Sequence, residues 1–249
     1  MPLVPPDSPL RQVPDSIDRR SVLYLDGIRY CFHIFDLASA RLVTALQALS
    51  TSYVSPQLLA DQIATAISDA WTMVDTVHRL RELLSQAPRL KKNSPELQLF
   101  IRHTSKIEDL RHFYQHFRTR IDSFASIGMP LWGTLSWIHT DLATGENHNY
   151  TIAPGTFFEG ATVYSCTVDF VEMKYVERIA LFAGSAMVDL AVLAEQVEQF
   201  TAWYTTWYQK QFPDVSHHAA DLHIRTGVRA VQRKPAADIG TSNDHTPEA

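Results

Sequence analysis

Two serine–proline pairs, Ser55-Pro56 and Ser94-Pro95, each stand directly before a long run in which apolar side chains recur every three or four residues. A hydroxyl side chain followed by proline is a helix start, because the hydroxyl accepts from an orphan backbone N–H and proline has no N–H to leave unpaired. After the first pair, Leu59, Ile63, Ala66, Ile67, Ala70, Val74, Val77, Leu80 and Leu84 fall on one stripe that ends near Pro88. After the second, Phe100, His103, Ile107, Leu110, Tyr114, Phe117, Ile121 and Phe124 keep the same alternation up to Gly128 and Pro130. The spacing predicts two long amphipathic helices, the second unbroken and roughly 45 Å long at 1.5 Å per residue. Joined by the short basic loop 89–93, they are expected to pack antiparallel, seam against seam.

A third helix is expected before Leu49, where Ala38 to Leu49 is helical in pattern. Ahead of it, Val22-Leu23-Tyr24-Leu25 runs into Asp26-Gly27, which reads as a hairpin turn. Beyond Pro130 the period changes. Gly133–Thr140, His148–Ala153, Thr162–Phe170 and Tyr175–Phe182 are short and rich in Thr, Val, Tyr and Ile, as four strands of a meander would be. A last helix starts at Asp189 and ends near Phe212, and its aromatic series Phe200, Trp203, Tyr204, Trp207 and Tyr208 is expected to be core. The fold class is therefore α+β, a bundle of long antiparallel helices with a four-stranded antiparallel β-meander before the last helix.

Proline at positions 2, 5, 6, 9 and 14 marks residues 1–20 as an extended, poorly ordered leader, and polar residues 213–249 as a largely disordered tail. Between them residues 21–212 form one domain, with helices in 28–126 and 189–212 and the sheet in 131–183. Cys31 and Cys166 stand far apart and in no metal-binding pattern, so neither a disulfide framework nor a cysteine zinc site is expected. With no run of about 18 apolar residues, no membrane span is expected, and the reading is cytoplasmic. A net charge of −5 excludes a protein that coats nucleic acid through its overall field. Locally the balance inverts: residues 89–123 hold eight Lys or Arg against four Asp or Glu, a charge of +4. An anionic partner at the third helix is compatible with that.

Within this basic stretch lies Arg111-His112-Phe113-Tyr114-Gln115-His116. With Leu110 at the centre of the buried stripe, Arg111, His112 and His116 fall at about 100°, 200° and 240°, away from the seam. Arginine supplies a planar charged fork for phosphate, and imidazole moves protons near neutral pH. The stretch resembles the R-x4-H signature of the HEPN family of helical-bundle nucleases and nucleotide-binding domains, and Trp71, Asp75, His78 and Arg79 are similar to positions in HEPN-like bacterial proteins. The resemblance implies a homodimer whose two motifs line one cleft and a metal-independent endoribonuclease of the defence or toxin type, without cofactor. It implies that Arg111, His112 and His116 are the catalytic set, His116 as acid/base and Arg111 stabilising the phosphorane. Two other readings of the same helix face stay open. One is a solvated surface used for dimerisation or for a protein partner. The other is a metal site of Glu108, His112 and His116 at four-residue spacing. His217, His218 and His223 form a further, weaker metal candidate near the tail.

Overall fold

In a computed structural model the structure describes residues 2–14, 17–51, 56–155, 161, 163–166, 168–169, 174–175, 178–213, 217–218 and 221. The first helix, α1 (Arg19–Thr51), absorbs both the leader's end and the stretch read as a hairpin. Gly27 is a contact glycine in it: a Cβ there would sit 3.0 Å from Leu83 of α2 (Pro56–Leu84). Asp26-Gly27 is thus a corrected turn signal, since the missing side chain lets two helices approach closely instead of reversing the chain. Gly27 against Leu83 at one end and Arg41 paired with Asp69 further along make α1 and α2 antiparallel. Pro56 opens α2 as expected, while Ser55 lies outside the described residues.

The third periodic stretch is not one helix but three, α3 (Pro95–His103), α4 (Lys106–Gln115) and α5 (Phe117–Ile127). The first break has two causes. Thr104, 1% exposed, turns its hydroxyl back onto the Phe100 carbonyl, a local bond that competes with helix continuation. From α2, Arg81 then donates to the Ile101 carbonyl and to Thr104 Oγ1, at 2.6 and 2.7 Å, satisfying the end of α3 and complementing its dipole. The second break is His116 itself, with φ −108° and ψ 15°, whose N–H is shared between the His112 and Phe113 carbonyls. Gly128, at φ 65°, ends α5 as its position in the sequence predicts.

The sheet comprises β2 (Thr134–Thr140), β3 (Asn147–Ile152), β6 (Ile179–Ala183) and β7 (Ala186–Asp189), in the order β3-β2-β6-β7, all antiparallel. It is four-stranded and precedes the last helix, as the sequence predicts, but the strands differ. Of the stretch 162–170, residues 163–166 are not strand, and among the described residues Val168–Asp169 (β4) pairs with Lys174–Tyr175 (β5) in a separate ribbon. Its place in the main sheet is taken by β7. Thr134, Leu135, Ser136 and Trp137 of the central strand are buried on both faces. On one, Trp137 Nε1 donates to Ser50 Oγ of α1 at 2.8 Å; on the other, Ser136 Oγ accepts from the Cys166 N–H at 3.0 Å.

Asp189 caps α6 (Leu190–Gln211), accepting from the Ala191 and Val192 N–H groups. Phe200, Tyr204 and Tyr208 are buried as expected, with Phe200 stacked on Phe100 and both Phe200 and Tyr204 against Phe32. The leader is built into this core. Val4 and Leu10 are buried, Pro9–Arg11 forms a 3-10 turn, and Gln12–Val13 (β1) pairs with His217–His218 (β8). The apolar side chains among its prolines supply enough burial to order it. The remaining tail expectation lies almost wholly outside the described residues. Among the described residues no helix is long and apolar enough to cross a membrane.

Candidate functional site at the α4–α5 break

The side chains that face each other across α2 and α4 set the site. His78 meets Glu108, Asp75 meets Arg111 and Trp71 meets Tyr114, so the two helices run antiparallel with a steady register. From the other side the β6–β7 turn presses on α4: Gly184 has φ 61°, and a Cβ there would lie 2.4 Å from the Phe113 ring. Leu110 and Phe113 are buried, which leaves the following positions to point outward.

His112 and His116 both lie exposed, their ring centroids 4.5 Å apart with 53° between planes. The four-residue spacing that places them on one side survives the helix break, because His116 still donates to the His112 carbonyl. Arg111 takes another direction. Its side chain is 26% exposed and its Nε lies 3.7 Å from Asp75 Oδ1, an ion pair beyond hydrogen-bond reach. That Nε finds no acceptor among the described residues. Asp75 is committed first to Arg79, whose Nε donates to Oδ2 at 2.6 Å. The structure therefore brings the two imidazoles together and sets the guanidinium against α2.

Glu108 is not part of this group. Its Oε2 lies 2.9 Å from His78 Nδ1 and its Oε1 accepts from Arg81 at 3.1 Å. The carboxylate is thereby used to lock α4 onto α2, and the Glu108, His112 and His116 ion site is not assembled. Among the described residues no three His, Cys, Asp or Glu side chains are placed to hold a metal. His217 and His218 are strand residues in β8, and His223 lies outside the described residues. His78, buried between Glu82 at 3.2 Å and Glu108, belongs to the same lock.

Sequence reasoning placed Arg111, His112 and His116 on a polar face but missed Asp75 as the partner of Arg111. The pairing depends on the register of two helices, and the only signal for it was a carboxylate on the polar side of α2. No family model, curated protein sequence or solved structure matches the chain. The HEPN resemblance rests on the sequence alone, on Arg111, His112 and His116 and their spacing and, more loosely, on Trp71, Asp75, His78 and Arg79.

Proposed function

We propose that the α4–α5 break is the working surface of a HEPN-like endoribonuclease that cuts RNA without a metal. The observation that carries this reading is the exposed pair His112 and His116, in ring contact one residue from Arg111. The chemistry needs those groups. A ribose 2′-oxygen attacks the adjacent phosphorus as its proton passes to a neutral imidazole, the bond to the 5′-oxygen breaks, and that oxygen takes a proton from a protonated imidazole. A 2′,3′-cyclic phosphate and a 5′-hydroxyl result, and a guanidinium stabilises the phosphorane.

Attacking and leaving oxygens lie on opposite sides of phosphorus, so two rings already in contact do not serve both. A second copy of the chain supplies the facing pair, which makes the active form a homodimer with its cleft on the twofold axis. The buried thiols of Cys31 and Cys166 suit a reducing, cytoplasmic setting.

One observation favours a second reading, a non-catalytic surface for dimerisation or a protein partner: Arg111 is directed at Asp75 rather than left for phosphate. Purified protein incubated with a labelled RNA pool in EDTA separates the two, beside Arg111→Ala/His116→Ala matched for folding and oligomeric state. Cleavage by the native protein alone, leaving cyclic-phosphate ends, is the expected result. No cleavage, or equal cleavage by both, removes the enzyme reading and leaves the interaction surface.

A further inference from the structure

Beside the Arg111–Asp75 pair an open groove of about 790 Å³ runs between α1, α2, Tyr114 of α4 and the residues Trp132 and Pro154 that flank the first two strands of the sheet. That volume lies within the roughly 300–1,000 Å³ of small-molecule sites. Its walls are mostly apolar, with Ile34 from α1, Ile67 and Trp71 from α2, Tyr114 from α4, and Trp132, and α2 adds the hydroxyls of Ser68, Thr72 and Thr76. Trp132 and Ile34 remain 43% exposed, so two large apolar side chains stand uncovered at one concavity. Trp132 is held in place from its backbone, because its carbonyl accepts from Trp71 Nε1 at 3.0 Å. Its ring, 5.7 Å from Tyr114 and tilted 47°, is left with one flank toward the groove.

The charged side chains lining the groove are Asp75 and Arg79. Cys31 also lines it, but burial pushes its thiol up to about 11, so it adds no charge at neutral pH. Asp75 faces two guanidiniums, Arg79 at 2.6 Å and Arg111 at 3.7 Å, and is thereby neutralised, with Glu82 a further carboxylate near Arg79. Arg79 is 64% exposed and spends its Nε on Asp75, while its terminal amino groups donate in no hydrogen bond among the described residues. A fork of that kind donates edge-on to a carboxylate. An aromatic cage for an organic cation needs rings splayed around an open centre and an uncommitted carboxylate. Here Trp71 and Tyr114 lie on each other, with centroids 4.7 Å apart and 30° between planes, and Asp75 is already paired.

We propose that this groove binds a small amphipathic anion, a flat apolar body of fused rings against Trp132 and Tyr114 with one carboxylate on the outer edge of Arg79. The site does not depend on the ribonuclease reading, and its test involves no RNA.

Titration calorimetry of the full chain with 2-naphthylacetate, its neutral amide 2-naphthylacetamide, and the cation 2-(2-naphthyl)ethylammonium compares one ring system at three charges. The acetate is expected to bind about tenfold more tightly than the amide, as a charge-assisted hydrogen bond allows, and the cation more weakly than either. Arg79→Gln brings the acetate to the level of the amide and leaves the amide unchanged. Ala64→Trp, at an exposed helix position on the groove's margin, weakens all three with the thermal transition preserved. Equal binding of the three, preference for the cation, an acetate preference that survives Arg79→Gln, insensitivity to Ala64→Trp, or no binding to the native chain would each overturn the proposal.

Discussion

Arg111 and Asp75 illustrate what single residues in this chain can and cannot disclose. That Arg111, His112 and His116 leave the buried seam follows from counting 100° per residue from Leu110, and the structure has both histidines exposed. Where Arg111 then goes is decided by a residue 36 positions earlier, which no local pattern announces. Gly184 is a second residue whose role is tertiary. It occupies the left-handed region at φ 61°, and a Cβ there meets Phe113 at 2.4 Å on the helix that carries the site. Gly184→Ala therefore combines backbone strain of about 1–2 kcal/mol with a displaced aromatic ring. A loss of roughly 2–3 kcal/mol is expected in urea unfolding, with an unchanged m-value. Phe113→Leu in the Gly184→Ala background should recover part of it; additive losses would show that the ring contact is not the cause.

At the scale of elements, the sequence disclosed helix faces better than helix continuity. The three- and four-residue alternation from Phe100 to Phe124 holds in part, since Phe100, Ile107, Leu110 and Phe124 are buried while His103 and Ile121 of the same stripe are exposed, and the backbone breaks twice beneath it. Periodicity records which side is apolar and is silent about where the backbone bends, so after the second break it no longer marks the buried side at Ile121. The break at Thr104 is stabilised by Arg81, 14% exposed, which reaches the end of α3 and Glu108 of α4 together. Arg81→Ala removes a charged donor from the Ile101 carbonyl and the buried Thr104 hydroxyl and leaves Glu108 with His78 alone. Hydrogen bonds from charged groups carry about 1.5–3 kcal/mol, so a loss of that size is expected. Amide exchange should accelerate over residues 101–108 more than in α6. Uniform acceleration would mean that Arg81 supports the whole fold and not this corner. Of the four expected strands only the third, at 162–170, lost its place in the main sheet, and β7 was missed for a related reason. β7 is only four residues long and directly abuts α6, so its apolar character merges with the helix that follows.

For the molecule as a whole, the core gathers ionisable groups that have no reason to be charged. Cys31, Tyr204 and Tyr208 are all buried around α1 and α6, and desolvation moves every one of them upward, the thiol to about 11. The Tyr208 hydroxyl donates to the Gln12 carbonyl, which ties this effect to the ordered leader. A raised folded-state value means that the folded chain holds its proton more tightly than the unfolded chain. The associated stability is fully present below the unfolded values, about 8.5 for a thiol and 10 for a phenol, and is lost as pH rises through the folded ones. For Cys31 the full span, from the ordinary thiol value to about 11, corresponds to on the order of 3 kcal/mol. The urea midpoint should accordingly be flat from pH 7 to 8, fall between 9 and 11, and keep falling as the phenols titrate. Cys31→Ala costs stability at neutral pH through its small cavity, but its decline should be shallower than that of the native chain between pH 9 and 10, where only the thiol contributes strongly. Parallel curves for the two proteins would place the alkaline loss on the tyrosines of α6 and not on the seam between α1 and α2.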